Sequence, residues 1–303
     1  MDGELIEKLN RCKDMPTIPA VALEVLRLCR SRDASIQAVA EVVSRDPVLS
    51  GRILEVANSA FFASPTKVPT VGQALVRMGL RNAQSVALGF TIVNQKEIQG
   101  APSFSHMDFW KSSLVTAVAA KTIEERSRRP FAAEAFTAAL LQDIGILGMS
   151  NALKEEYEPV VQAWNAGRSD LVELEEKLFD SNHMEVAAYL LALWNVPECI
   201  VDPITAHHRP EALQTTNREY DRLARVLQTA DAFMTMVCKG GTAVQVNRCV
   251  MLCKHNLNWP ASWVLPTVRD MRPMIAEIQR MLAVAVDGDQ VMGQAKATLA
   301  SRA

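Results

Sequence analysis

Five side chains of the types that bind metals or transfer protons lie on apolar helix stripes: Asp143, His183, His207, His208 and Asp231. Each is separated from apolar residues by three, four, seven or eight positions, so it shares their helix face and should point inward. Buried carboxylates and imidazoles are costly unless they are hydrogen-bonded, ion-paired or metal-bound. If these side chains converge from different helices, they predict a metal or acid–base cluster.

Each of these residues also has a structural interpretation. A single histidine on a helix stripe is more often a hydrogen-bonded core residue than a ligand, and an aspartate near a helix end can accept hydrogen bonds from loop amides. Periodicity alone does not show that the helices converge. Spacing therefore leaves both interpretations open.

The elements that must position these residues are predicted to be helices. Ser35 and Asp46-Pro47 are typical helix starts, and Thr70 with Gln73 makes a capping-box pair ahead of Gly79. Further helical stripes are predicted near 110–123, 134–143, 184–194, 197–208 and 218–238.

Strand signals are sparse. The segment Thr242–Val246 could be extended, although Gly240-Gly241 before it is equally typical of a loop. The Gly/Pro/Ser stretch at 100–105 is the best candidate for an internal boundary. We therefore predict an all-α protein with a division near residue 100.

The composition is that of a globular protein. The 303 residues are 49% hydrophobic and 22% charged, and the net charge of −2 argues against a chain that mainly binds nucleic acid. The apolar run Ala187–Trp194 is far shorter than the ~20 residues of a membrane span, and the acidic start lacks a secretion signal. We expect a cytoplasmic protein without nucleic-acid or membrane partners.

The six cysteines are scattered without a CxxC pair, which favours reduced core thiols over disulfides. Cys249, Cys253 and His255 could form a metal clip, but the fourth ligand of a closed zinc site is not evident nearby. The core interpretation is therefore preferred.

Several motifs occur in a fixed order along the chain: Met15–Leu23 (MPTIPAVAL), Asp46–Leu49 (DPVL), Val56–Phe62 (VANSAFF), Gln73–Leu80 (QALVRMGL), Phe109-Trp110, Leu140–Gly145 (LLQDIG), His183, Leu190–Pro197 (LLALWNVP) and Ala206–His208 (AHH). As an ordered set they resemble the HDOD domain, an HD-related output domain of bacterial signalling. The resemblance covers about residues 14–212. It implies an N-terminal helical bundle in residues 1–100 packed on an HD-like helical subdomain in residues 101–240. A helical extension would follow in residues 241–303.

In the catalytic HD and HD-GYP relatives, metal ligands come from an early histidine, a His-Asp pair, later histidines and a final aspartate. Carried over by position, Asp143, His183, His207 or His208, and Asp231 match this set. Ser112 and Gln142 stand where two further histidines are expected.

A serine hydroxyl and a glutamine amide are weak neutral donors compared with imidazole. HD-type hydrolysis needs a metal ion to lower the pKa of its water. We therefore expect no metal, no other cofactor and no catalysis. Asp143 and Asp231 should instead be held by Gln142, Ser112 and helix amides.

The resemblance and the lost ligands together predict a non-catalytic signalling or scaffold protein that binds protein partners through its helical surfaces. One alternative is a metal-dependent phosphohydrolase or phosphodiesterase that uses the degenerate site. Another is a module that binds a cyclic nucleotide without turnover, although no glycine-rich phosphate loop supports it.

Overall fold

A computed structural model of the chain describes residues 1, 3–13, 15–16, 20–30, 35–58, 62, 66–84, 87, 100–167 and 170–282. These residues form α-helices joined by turns and short 3-10 segments, and no strand occurs among them. The predicted all-α class is confirmed.

The first set of helices precedes residue 100: α1 (Gly3–Arg11), α2 (Ala20–Arg30), α3 (Ile36–Ser44), α4 (Pro47–Ala57) and α5 (Val71–Met78). Their predicted start signals are confirmed. The Ser35 hydroxyl accepts the Ala38 N–H at 3.0 Å, and Asp46 Oδ1 accepts the Leu49 N–H at 2.9 Å. Helix α5 ends at Gly79, whose φ of 74° favours glycine.

The second set of helices begins with α6 (His106–Arg126), α7 (Ala132–Leu141), α8 (Ile144–Leu153), α9 (Glu158–Asn165) and α10 (Leu171–Phe179). It continues with α11 (His183–Leu193), α12 (Glu198–Ile204), α13 (Arg218–Cys238), α14 (Ala243–Leu257) and α15 (Val264–Leu282).

Two predicted helix ends were wrong. The helix expected over 134–143 ends at Leu141, and Asp143 lies in the junction before α8 with φ −98° and ψ 7°. The helix expected over 197–208 ends at Ile204, and the His207 ring nitrogen Nδ1 donates to the Ile204 carbonyl oxygen. The segment 242–246, which the sequence left open between an extended segment and a loop, starts helix α14, where Thr242 and Gln245 form a full capping box.

Buried apolar side chains form two clusters. The first joins α2 to α5 and includes Val25, Val43 and Ile53, whereas the second is built around α6 and takes in the later helices. Helix α2 contributes to both, since Ala22 belongs to the second cluster and Val25 to the first. Helices α14 and α15 supply Val246 and Met271 among others, so the C-terminal extension shares the second core.

Only one stretch among the described residues, Ala132–Glu156, is long and apolar enough by composition to cross a membrane. Its most apolar window is 78% buried inside the fold, as in the core helix of a soluble protein. The stretch corresponds to α7 and α8 with the junction between them.

Helix α6 is buried nearly all round from Ser113 to Glu124, and it packs against α7, α13 and α15. Its Lys121 side chain is only 7% exposed and pairs with Glu125 at 3.2 Å. The Lys121 ammonium also lies 5.5 Å from the Phe62 ring centre. Burial lowers the Lys121 pKa, and Glu125 offsets this only in part.

We expect Lys121→Met to raise the free energy of unfolding near pH 7 by about 1 kcal/mol, because it removes a desolvated charge and keeps the buried stem. Since the Lys121 pKa is lower in the folded state, the charge opposes folding below that pKa. The gain from methionine should therefore disappear as the pH rises past the unfolded value of about 10.4. Urea unfolding across this pH range measures the change in the free energy of unfolding.

Lys177→Met, at an exposed site, is the control. A large loss of stability in Lys121→Met would contradict the interpretation.

Candidate functional site

Four of the five predicted ligand-type side chains converge in the second core. Asp143, His183, His207 and His208 each offer one ligand atom, and these atoms all lie within 4.8 Å of one another. They come from three places: the junction of α7 and α8, the first residue of α11, and the loop after α12. The convergence that spacing left open is therefore observed for these four residues, of which only His183 lies within a helix.

The spacings within this four-residue cluster suit a single small cation. His207 Nε2 lies 3.3 Å from Asp143 Oδ1, and His183 Nε2 lies 3.8 Å from the same oxygen. The Nε2 atoms of His183 and His208 are 3.1 Å apart. Ligands at zinc bond lengths in a tetrahedral site are about 3.3 Å from one another.

A close helix contact and a helix cap place His183. A side chain at Gly145 would meet the His183 carbonyl oxygen at 1.9 Å, so α8 and α11 approach to a distance that only glycine permits. The Asn182 side chain accepts the N–H groups of Met184 and Glu185 at 3.1 and 3.2 Å, which starts α11 at His183.

Two hydrogen bonds fix the histidine rings. His183 Nδ1 lies 2.7 Å from Glu175 Oε2, and His207 Nδ1 lies 2.8 Å from the Ile204 carbonyl oxygen. Because both partners are acceptors, the network assigns the ring proton to Nδ1 in each case. The Nε2 lone pairs of both rings are then directed into the cluster. His207 Nε2 is buried and satisfies no hydrogen-bond geometry among the described residues.

Sequence reasoning missed Glu175 and Tyr157. Both side chains are fully buried, and the Tyr157 hydroxyl donates to Glu175 Oε1. Glu175 follows Leu171 by four and Val172 by three, so the stripe argument used for the histidines could have found it. Tyr157 gave no comparable signal.

The ionisable groups of the cluster shift one another's pKa values. Burial works to raise the Asp143 pKa, but His207 and His183 outweigh it and hold the pKa below its usual value. Burial works to lower the His183 pKa, but Glu175 and Asp143 outweigh it and the pKa is raised. Burial and the neighbouring imidazoles push the His208 pKa well below its usual value. The lowered Asp143 pKa and the raised His183 pKa both favour a negative carboxylate that faces a positive charge.

Asp231 lies outside the four-residue cluster, and burial together with the charge of Asp143 raises its pKa. Gln142 is buried, with Nε2 a distant 3.5 Å from Asp143 Oδ2 and Oε1 without a hydrogen-bond partner among the described residues. Among the described residues, the Ser112 hydroxyl makes no hydrogen bond to Asp143 or Asp231. The predicted contact of Gln142 with Asp143 is therefore present, although it is long, whereas the contact predicted for Ser112 is absent among the described residues.

All six cysteines are free thiols, as predicted, but only Cys249 and Cys253 are fully buried in the second core, and the other four are half-buried. His255 is exposed on the same helix, so these three residues do not form a metal clip.

The described part of the second core is helical and gathers three histidines and one aspartate at helix ends. The chain belongs to the HDOD family, since the family model for the HDOD domain matches residues 15–210. The predicted resemblance is thereby confirmed.

Solved structures share this fold. An HDOD domain protein of unknown function from Geobacter sulfurreducens has a TM-score of 0.73 at 22% identity, covering 91% of this chain and 95% of that one. A proposed phosphohydrolase from Shewanella amazonensis SB2B has a TM-score of 0.70 at 24% identity, with coverage of 92% and 98%.

A curated relative is a protein of Treponema pallidum (strain Nichols), 22% identical over 200 residues. The match covers 66% of this chain but only 38% of that relative, so this chain spans well under two-thirds of its length.

Proposed function

We propose that this protein is a non-catalytic signalling module that acts through contacts between its helical surfaces and protein partners. The observation that carries the proposal is Gln142 at the position of the pair histidine. Its amide is buried 3.5 Å from Asp143 Oδ2, where an imidazole would otherwise supply a strong donor to a catalytic metal.

The donor set supports the same conclusion. If a metal ion is held by Asp143, His183, His207 and His208, these residues fill the four positions of a tetrahedral site. A bound metal supplies hydrolytic chemistry by activating water or polarising a phosphoryl oxygen, which requires an open position. A closed set is typical of structural rather than catalytic sites.

We expect the purified protein to hydrolyse neither bis(p-nitrophenyl) phosphate nor cyclic dinucleotides above the blank, with Mn²⁺ or Mg²⁺ supplied, because no position is left for activated water. Phosphate release and chromatography of the dinucleotides measure this. Turnover on the order of 1 s⁻¹ or more, abolished in Asp143→Asn, would contradict the proposal.

The second candidate is a metal-dependent phosphohydrolase with an altered site. It is favoured by the convergence of three imidazoles and one carboxylate, and by the fold shared with the Shewanella protein. It requires both stoichiometric metal and turnover. Metal analysis that finds no ion after loading with Mn²⁺ or Fe²⁺ would remove it.

The proposal includes that the protein is cytoplasmic and binds protein partners of a signalling pathway there. The near-neutral net charge of −2 supports a protein partner over a nucleic acid. Co-purification from the native host under gentle conditions, followed by binding of the purified partner, tests this.

A further inference from the structure

Among the residues that the structure describes, the buried carboxylate of Glu175 has three hydrogen-bond donors, none of them from a lysine or an arginine. Glu175 Oε2 accepts both the backbone N–H of His183 at 2.9 Å and its ring Nδ1–H at 2.7 Å. The other oxygen, Oε1, accepts the Tyr157 hydroxyl. All three residues are fully buried.

This arrangement leaves the His183 ring one orientation. Backbone and ring of one residue bind the same carboxylate oxygen, so the ring cannot turn without losing a hydrogen bond in the dry interior. Tyr157 holds the opposite oxygen, which prevents the carboxylate from rotating with the ring.

The fixed ring presents Nε2 to the cluster, 3.8 Å from Asp143 Oδ1 and 3.1 Å from His208 Nε2. His207 is fixed in the same way by the Ile204 carbonyl and presents its Nε2 to the same aspartate oxygen. A carboxylate or carbonyl behind a histidine is the usual support of a ligating imidazole. Here two imidazoles that are supported in this way face the same carboxylate oxygen, Asp143 Oδ1.

We infer that Glu175 and Tyr157 are positioning residues that hold His183 ready to bind one Zn²⁺-type ion together with Asp143, His207 and His208. Three nitrogen donors and one oxygen favour a transition metal over Mg²⁺ or Ca²⁺, which prefer oxygen ligands. The inference runs against the expectation from sequence that the site holds no metal. It is independent of turnover, because a closed site binds its ion without catalysis.

The experiment uses the full chain, stripped of metal by chelation and dialysis. Zn²⁺ is titrated in competition with a chromophoric chelator, and Co²⁺ is titrated by its visible absorption, which reports coordination number and donor type. We expect one ion per chain with tetrahedral Co²⁺ bands. Glu175→Gln should weaken Zn²⁺ binding by about 10–100-fold, and Tyr157→Phe by about tenfold or less.

Matched controls lie on the same or a neighbouring element. Glu173→Gln changes an exposed carboxylate on α10, and Tyr220→Phe removes a hydroxyl on α13. Both should bind Zn²⁺ as the wild type does. Proton NMR of the Zn²⁺-loaded chain should show a slowly exchanging His183 Nδ1–H, which is lost in Glu175→Gln. A purely structural role of Glu175 would leave the Zn²⁺ affinity and the Co²⁺ bands unchanged in any folded variant.

The outcomes are separable from those of the turnover assay. A wild-type chain that binds no stoichiometric Zn²⁺ or Co²⁺ overturns the inference and leaves the non-catalytic proposal intact. A wild type that binds one ion, with unchanged affinity in both Glu175→Gln and Tyr157→Phe, overturns the positioning role. Should Glu175→Gln fail to fold, the milder Tyr157→Phe decides the same point.

Discussion

Replacing Gly145 with alanine is expected to lower the free energy of unfolding by about 3 kcal/mol or more. The new methyl group would lie 1.9 Å from the His183 carbonyl oxygen and 2.8 Å from the Ala187 nitrogen. Both are backbone atoms of α11, so relief requires α8 and α11 to separate. That separation would also move His183 away from Asp143 and weaken any metal binding.

Gly51 provides the matched control for this substitution. It lies within α4, and a methyl group added there would meet no atom within 4 Å. Gly51→Ala should therefore raise stability by about 0.5–1 kcal/mol through helix propensity alone. Guanidinium unfolding of both variants measures the contrast. Equal stability of the two would refute the close contact of α8 and α11.

The second large effect is expected for Glu175→Ala, which should lower the free energy of unfolding by about 3–5 kcal/mol. The substitution leaves the Tyr157 hydroxyl and two N–H groups of His183 buried without their acceptor. Burial and Glu175 both raise the Tyr157 pKa well above its usual value, so the phenol stays a neutral donor that needs a partner.

Glu173→Ala on the same helix is the control, because its side chain is exposed and its loss should change stability by less than about 0.5 kcal/mol. Denaturant unfolding at pH 7 compares the two alanine variants. A Glu175→Ala chain as stable as Glu173→Ala would show that the buried carboxylate contributes no net stability.

Much of the fold could be predicted because its signals are local. The caps at Ser35 and Asp46, and the glycine end at Gly79, depend on hydrogen bonds and backbone angles within a few residues. The all-α class follows from the same helical period throughout the chain.

Spacing singled out the four residues that converge, together with Asp231, which lies outside their cluster. The reasoning behind this choice was partly wrong. Asp143, His207 and His208 were placed on continuing helix stripes, whereas the chain leaves the helix before each of them. Periodicity assumes that a helix continues. It gives no sign that the His207 ring nitrogen Nδ1 hydrogen-bonds to the Ile204 carbonyl oxygen at the helix end. Glu175 also lies on an apolar stripe and could have been singled out, but hydrophobic patterning does not report the contact with His183 that defines its role.

Helices α6, α13, α14 and α15 share one core. The part of the chain that packs together is therefore longer than the part that matches the family. The family match stops at residue 210, before any of the last three helices begins. A fragment trimmed to that match would uncover the apolar sides of α6 on which α13 and α15 rest. Expression work and domain swaps should therefore carry the chain through at least residue 282, where α15 ends.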